Sequence, residues 1–422
     1  MQEKYPFRKV YILYVVLFFS KIISGQNPVN SKGDYIFISP EILVGQTFSS
    51  NKNFPKTKMQ KAFFLSIGKH HLSDTKEWAI RLNQPKTGLL FGITDFGNSK
   101  SIGKSYTIMP FMEFNLPQKL ENWYLQMAFG GAYFDTKYHK ETNPFNQGIT
   151  TEFNWAYKAF IYYNFAKKNT HNWRLGLGLM HYSNGHTALP NQGLNSLLLS
   201  VSSNIKTKTT SIKPTNNLKK ENTKETFFTF RSGIGQNVLA KYINDRKEVY
   251  TIAFSGGKII NKTFKIGIGA YYRFYEHYND YIKNDTDLMK KESPKLKNNP
   301  YRNATNFGIF ATSELLLNHI GFEFDIGVNL HKPFYKIDWH LNEGYPSNKT
   351  VDGVRTPTHV LGELGWYYKT KRTVSTRLGL KYYLISTHKS PINNIFIAAH
   401  INANLGQADF SEVSLGYTYR VK

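Results

Sequence analysis

The sequence contains no cysteine, and beyond residue 25 it has no run of about 20 apolar residues, the length that a membrane-spanning helix needs. The lack of cysteine is compatible with a bacterial envelope protein that folds without disulfides. The lack of long apolar runs excludes a spanning helix in the mature chain. If the mature protein lies in a membrane, it must cross as a closed barrel, because only a helix or an edgeless sheet satisfies every backbone group in hydrocarbon.

Acidic residues are also scarce, since 29 Asp and Glu face 54 Lys and Arg, for a net charge of +25. Such a charge would ordinarily indicate a nucleic-acid partner. We exclude that partner because no nucleic-acid motif accompanies the lysines, which concentrate between predicted strands, as in 206–224. In an outer membrane a basic rim would face the phosphates of lipopolysaccharide. Solvated loops explain the same lysines equally well.

The first 25 residues have the order of a secretory signal peptide. Three basic residues occur within the first nine, an apolar run covers 10–19, and the small residues Ser24 and Gly25 follow. The run is too short to span a bilayer. We therefore predict a signal peptide over 1–25 and an exported mature chain in the outer membrane of a diderm bacterium, with an uncleaved anchor as the alternative.

What the sequence has in abundance is aromatic residues, 15% of the chain, in segments of about ten residues that alternate apolar and polar side chains. In the clearest segment the apolar positions are Phe322, Phe324, Ile326, Val328 and Leu330. The polar positions between them are Glu323, Asp325, Gly327, Asn329 and His331. No helix shows a period of two. The alternation predicts an all-β protein, a transmembrane antiparallel β-barrel of the outer-membrane type.

About seventeen candidate strands lie between residues 35 and 421. Bacterial single-chain barrels have an even number of strands, so we predict 12–16. We expect one barrel domain over 26–422, with no internal repeat, and long loops near 205–224, 278–301 and 332–355.

No metal or cofactor site is expected. His70 and His71 are adjacent, which in a strand sends their side chains to opposite faces and argues against a shared metal. The stretch 97–105 resembles a phosphate-binding loop only superficially, because the spacing of its glycines is wrong and no parallel βα unit surrounds it.

Polar residues occur on a predicted lipid-facing surface between Trp173 and Val201. In the first strand of this segment Trp173 and the leucines at 175, 177 and 179 share the outward face, and the same period places His181 and Ser183 there. In the next strand the period places Asn195 on the outward face as well.

Outward polar residues are costly in hydrocarbon unless they lie at the interface or have a function. A histidine and a serine two residues apart on one strand face can form the base and nucleophile of a serine hydrolase, and a third residue from the next strand can orient the histidine. The simpler interpretation is that these side chains belong to the headgroup region.

The same residues resemble the signature of the lipid A 3-O-deacylase (PagL) family, a pattern of His-x-Ser-Asn followed by Pro-Asn-x-Gly-x-Glu. The matching residues are His181, Ser183, Asn184, Pro190, Asn191 and Gly193. The resemblance covers about fifteen residues and implies an outer-membrane ester hydrolase whose catalytic side chains lie on the outer wall of the barrel. It further implies oxyanion or substrate contacts from the backbone near Asn184 and from Asn191 and Gly193.

Two features depart from the family pattern. Asn195 stands where the family has its catalytic Glu, and the chain is much longer than the compact eight-stranded members, as in a long, acyloxyacyl hydrolase-like variant. Asparagine can orient an imidazole through its amide oxygen but offers no carboxylate to the imidazolium. A neutral orienter is, however, less costly than a carboxylate beside lipid.

From the sequence we therefore expect an ester hydrolase that removes an acyl chain from lipid A. Ser183 would be the nucleophile, His181 the general base and Asn195 the orienter. The expected partner is lipid A or lipopolysaccharide of the outer leaflet, without a cofactor. The alternative is a non-catalytic barrel, either a porin-like channel or a relative that has lost its activity.

Overall fold

The computed structural model describes residues 33–421 except 117–119, 121, 169, 210–221, 285 and 352–353. The predicted signal peptide, residues 1–25, lies outside the described residues. The chain is mostly β-strand, and neighbouring strands pair antiparallel. No helix in the described ranges is long and apolar enough to cross a bilayer.

The first barrel is a closed antiparallel sheet of eight strands. Its strands are β1 (Tyr35–Thr47), β2 (Gln60–His70), β3 (Lys86–Asp95), β4 (Lys104–Asn115), β5 (Trp123–Phe134), β6 (Phe153–Lys167), β7 (His171–Ser183) and β8 (Leu194–Thr209). The barrel closes because β8 pairs with β1, so that Tyr35 lies opposite Thr209 and Thr47 opposite Ser196. A short helix, α1 (Glu77–Arg81), connects β2 to β3.

The second barrel is another closed sheet of eight strands. Its strands are β9 (Lys224–Asn237), β10 (Lys247–Ile260), β11 (Phe264–Tyr275), β12 (Thr305–Leu317), β13 (Ile320–His331), β16 (Val374–Tyr383), β17 (Asn393–Asn404) and β18 (Gln407–Val421). It closes through pairing of β18 with β9. A separate hairpin consists of β14 (Tyr345–Val351) and β15 (Val354–Val360).

Helices occupy two of the connections that were expected to be loops. The connection 276–304 contains α2 (Glu276–Lys283), α3 (Asp287–Glu292), a 3-10 turn (Pro294–Asn298) and α4 (Pro300–Asn303). The connection 332–373 contains α5 (Tyr335–Glu343), the hairpin and α6 (Trp366–Thr373). The third expected loop, 205–224, begins as the end of β8, and its middle lies outside the described residues.

The all-β fold class is confirmed, and the sixteen wall strands fall within the predicted 12–16. The expectation of one barrel over 26–422 is corrected, because these strands divide into two closed walls of eight. A barrel of eight strands has an interior that side chains can just fill, so each set of eight strands can form a closed, packed barrel by itself. Alternation along a strand marks its two faces but does not say which distant strand completes the wall.

Charged side chains fill the interior of both barrels. In the first barrel Glu113 accepts from Lys86 Nζ at 2.6 Å and from Arg174 at 2.7 Å. In the second, Arg231 donates to Glu412 at 2.8 Å, and Arg377 donates to the same carboxylate at 3.2 Å. All six side chains are buried. Interiors packed in this way leave little room for an open pore.

The outward faces are apolar along the middle of each wall, as the alternation predicted. In β13, Phe324 and Ile326 are exposed, whereas Glu323 and Asp325 are buried inside. We call the end of the molecule that carries the connection 184–193 the upper end. Both described chain ends lie at the opposite, lower end, because each barrel has an even number of strands.

Candidate functional site

The candidate site lies at the upper end of β7 and β8. His181 and Ser183 are the last outward-facing residues of β7, and Asn195 is the second residue of β8. The strand register places Asn195 directly opposite His181, and places Tyr157 of β6 opposite His181 on the other side. The alternation thus continues to the ends of both strands, and the three predicted residues share one patch of the outer wall.

His181 and Asn195 are joined by a hydrogen bond of 2.8 Å between Nδ1 and Oδ1. An amide oxygen can only accept, so a hydrogen bond to Oδ1 requires the hydrogen on Nδ1, and in the neutral imidazole Nε2 is then unprotonated. Nε2 then carries the lone pair, and it makes no hydrogen bond to a described residue. This is the tautomer that a general base requires.

Ser183 lies on the same face as His181, two residues further along β7. Ser183 is only 8% exposed, although Leu179 on the same face is 52% exposed. Positions i and i+2 of a strand are about 6.6 Å apart, within reach of two side chains. No hydrogen bond joins the Ser183 hydroxyl to His181 among the described residues, and such catalytic contacts commonly tighten only when substrate binds.

The connection 184–193 is organised by two asparagines. The Asn184 side chain accepts from the backbone N–H of His186 at 2.9 Å and of Thr187 at 3.1 Å. Its own backbone N–H donates to Asn191 Oδ1 at 3.1 Å. The structure therefore brings Asn184 and Asn191 together beside Ser183, with the Asn184 N–H directed at Asn191. The Nδ2 group of Asn191 has no described partner and is the donor left over.

Gly193 ends this connection in the left-handed region, with φ +71°. A Cβ at this position would lie 2.8 Å from Cε1 of His181 and 3.0 Å from the carbonyl oxygen of Tyr182. Glycine is therefore required twice, for the backbone conformation and for the space that the imidazole occupies.

An apolar groove of about 640 Å³ runs down the outer wall from this site. Its upper end is the cross-strand pair Leu179 and Leu197, each two residues from His181 or Asn195. Its lower end reaches Trp123 and Tyr163, whose rings lie 5.1 Å apart. A groove of this kind can hold a hydrocarbon chain beside the polar residues.

Trp155 is a neighbour of the site that the sequence did not reveal. It lies directly opposite Ser183 on β6, and its indole N–H donates to Ser411 of the second barrel at 2.9 Å. The alternation of β6 marks Trp155 as outward-facing, but its pairing with Ser183 depends on strand register. Nothing in the local sequence indicates the contact with Ser411, 256 residues away.

Comparison with known proteins gives a family for this region. Residues 70–204 match the lipid A 3-O-deacylase (PagL) family. The match runs from the end of β2 into β8, within the first barrel, and confirms the resemblance seen in the sequence. Among curated proteins, none matches the chain significantly.

Solved structures of outer-membrane barrels are also similar. The outer membrane enzyme PagL is 17% identical with a TM-score of 0.28, over 39% of this chain and 97% of its own. CdiB from Acinetobacter baumannii is 8% identical with a TM-score of 0.19, over 93% of this chain and 60% of its own. With the family match and the apolar outer walls, the chain is an outer-membrane β-barrel protein.

Proposed function

We propose that this protein hydrolyses an acyl ester of lipid A on the outer wall of its first barrel. The observation that carries the proposal is the 2.8 Å contact of His181 Nδ1 with Asn195 Oδ1, which leaves Nε2 as a base beside an apolar groove. The family match over 70–204 supports the same activity, because that family is described as a lipid A 3-O-deacylase. Lipid A in the outer leaflet could reach the site sideways.

In the proposed reaction His181 Nε2 takes the proton of the Ser183 hydroxyl while Oγ attacks the ester carbonyl carbon. The carbonyl electrons move onto oxygen, where the Nδ2 group of Asn191 is the available donor for the oxyanion. When the intermediate collapses, the C–O bond to the sugar breaks and the imidazolium protonates the leaving sugar oxygen, which becomes a hydroxyl. Water then repeats the sequence on the acyl-serine, which releases the fatty acid and restores Ser183.

Asn195 limits this mechanism in one respect. Its amide holds the imidazole and fixes the tautomer, but it brings no negative charge to the imidazolium that forms in the transition state. Asn195 is exposed on the lipid-facing wall, where an ionised side chain would be costly. We therefore infer an enzyme whose turnover is modest compared with one that has a carboxylate at this position.

The alternative of a porin-like channel is not favoured, because ion-paired side chains such as Glu113 and Arg174 fill the first barrel. An inactive relative remains the contrasting hypothesis, and lipid A chemistry separates the two. Outer membranes from cells that produce the protein should contain lipid A lighter by one acyl chain in mass spectra. Ser183→Ala should abolish this change, while Ser313→Ala, on the outward face of the second barrel, should preserve it. Unchanged lipid A in the presence of folded protein would refute the proposal.

A further inference from the structure

The connection 184–193, which carries Asn191 and Gly193, is held by hydrogen bonds from the second barrel. Asn244 bonds to both backbone groups of Leu189, accepting from its N–H at 2.8 Å and donating to its carbonyl at 2.6 Å. Arg246 Nε donates to the Thr187 carbonyl at 3.0 Å. The backbone N–H of Val238 donates to the His186 carbonyl at 3.2 Å. These contacts all come from 238–246, the connection between β9 and β10.

Ser411, at the upper end of β18, makes the second set of contacts. Its hydroxyl accepts from Trp155 Nε1 at 2.9 Å and donates to the carbonyl of Gly185 at 3.4 Å. Trp155 lies opposite Ser183, and Gly185 follows Ser183 by two residues. One hydroxyl of the second barrel thus connects both neighbours of the proposed nucleophile.

The two barrels approach each other closely at Gly185 and Ser411. A Cβ on Gly185, which has φ +63°, would lie 2.1 Å from Ser411 Oγ and 3.0 Å from Trp155 Nε1. The Trp155 ring also stacks on Phe129 with centroids 5.1 Å apart, and Phe129 in turn contacts Phe322 of β13. Trp155 is therefore fixed by packing on one side and by the Ser411 hydroxyl at its polar edge.

We propose that the second barrel is a positioning element for the hydrolytic site of the first, and that Ser411 and Asn244 are its positioning residues. The inference rests on the proposed function. Neither residue contacts the reacting atoms. They hold the backbone at Gly185 and Leu189 and the indole beside Ser183, so that the nucleophile and the Asn191 donor keep their places relative to His181. Misplacement of such groups by about 1 Å can lower turnover on the order of 10²-fold.

A matched contact at the opposite end of the molecule provides a control. It distinguishes a positioning role of Ser411 and Asn244 from a general contribution to the packing of the two barrels. There Trp78 Nε1, in α1, donates to Asn318 Oδ1 of the second barrel at 3.3 Å. The bond again joins an indole to a polar side chain across the two barrels, but far from Ser183. Asn318 has φ +60°, so Asn318→Gly removes the acceptor without straining the backbone.

The test uses the full-length protein in outer-membrane vesicles with lipid A as substrate. Ser411→Ala and Asn244→Ala should each lower kcat by about 10- to 100-fold and change KM by less than about threefold, because they displace catalytic groups and not the substrate groove. Ser411→Thr keeps the hydroxyl and should recover most of the activity. Asn318→Gly should keep the wild-type kcat.

Two further measurements make the outcome decisive. If Ser411 acts through the indole, Trp155→Phe combined with Ser411→Ala should be no worse than the more damaging single change. Hydrogen exchange of the peptide containing 184–193 should be faster in Asn244→Ala, which frees the Leu189 amide. If the peptide exchanges faster in Asn244→Ala but kcat is unchanged, the positioning role is wrong. It is also wrong if the exchange of this peptide is unchanged. A wild-type protein without Ser183-dependent turnover would instead overturn the proposed function itself.

Discussion

Gly193 and His181 touch across the upper end of β7, so closely that a single added methyl group at Gly193 would lie 2.8 Å from the imidazole Cε1. Real Cβ atoms essentially never approach another atom so closely, hence one of the two must move if Gly193 is replaced. The adjacent ring atom, Nδ1, would lie 3.5 Å from that methyl group and is the atom that bonds to Asn195. Any displacement of the ring therefore breaks the contact that fixes its tautomer.

We predict that Gly193→Ala lowers deacylation by about 10²-fold, because the imidazole is pushed from its place. The matched control is Gly406→Ala. Gly406 has a similar φ of +82° in the turn between β17 and β18, but a Cβ there would meet nothing within 4 Å. Both changes cost about 1–2 kcal/mol of backbone strain. Only Gly193→Ala should lower the rate of fatty acid release per folded molecule, and equal rates in the two variants would contradict the steric argument.

A second prediction concerns the interior of the first barrel, where Glu113 bridges Lys86 and Arg174. Glu113→Gln should lower the free energy of unfolding by about 3–5 kcal/mol, because two buried cations lose their partner. The surface pair Lys137 and Glu152, at 2.8 Å and about half exposed, provides the control. Glu152→Gln should change stability by less than about 1 kcal/mol. Urea titrations of the folded protein in detergent compare the two, and similar midpoints would refute the prediction.

The faces of the strands could be predicted from the sequence, whereas their partners could not. Alternation is a local property, so it predicts that His181, Ser183 and Asn195 face outward, and the register then places His181 opposite Asn195. Closure of β8 on β1 joins residues more than 140 apart, and no local pattern encodes it. The same limit applies to Ser411, whose contact with Trp155 depends on how two separate sheets pack.

The helices of the upper connections escaped prediction for a different reason. They are short, from four to nine residues, which is too short for a helical period to stand out. Their stability comes from packing against distant residues. Tyr278 of α2, for example, stacks on Phe334 with ring centroids 4.3 Å apart. Such contacts follow from the closed second barrel and not from the local sequence.

The third prediction is a pH effect from Asp338 of α5, which lies outside the wall strands. Burial, together with the nearby carboxylate of Asp409, raises the pKa of Asp338 from 3.8 to about 7, although Lys332 opposes the shift. The folded state therefore binds the proton more tightly than the unfolded state. The resulting stabilisation is complete below about pH 4 and is lost as pH rises towards 7.

Asp338→Asn should remove this dependence, so that the variant gains stability relative to wild type between pH 4 and pH 7 and stays the more stable above pH 7. The measurement is the temperature at which the folded band disappears in a gel-shift assay at each pH. Glu141→Gln, which removes an exposed loop carboxylate, is the control and should follow the wild-type curve. Parallel curves for wild type and Asp338→Asn would show that another group governs the pH response.

The last prediction addresses Asn195, which decides whether this site works with a neutral orienter. Asn195→Ala removes the acceptor of the 2.8 Å bond from His181 Nδ1, so the wrong tautomer becomes accessible and turnover should fall on the order of 10²- to 10⁴-fold. Folding should be little affected, because the side chain is exposed at a strand end.

Asn195→Asp keeps the length of the side chain and adds the charge that stabilises the imidazolium. The side chain of Asn195→Glu is longer by one methylene group and must bend to reach the same nitrogen. We therefore expect Asp to equal or exceed the wild-type rate, with the cost of a charge beside lipid setting the limit, and Glu to fall below Asp. Rates are measured as fatty acid released from lipid A per folded molecule. If Asn195→Ala retains the full wild-type rate, then Asn195 does not orient His181, and the proposed catalytic arrangement is wrong.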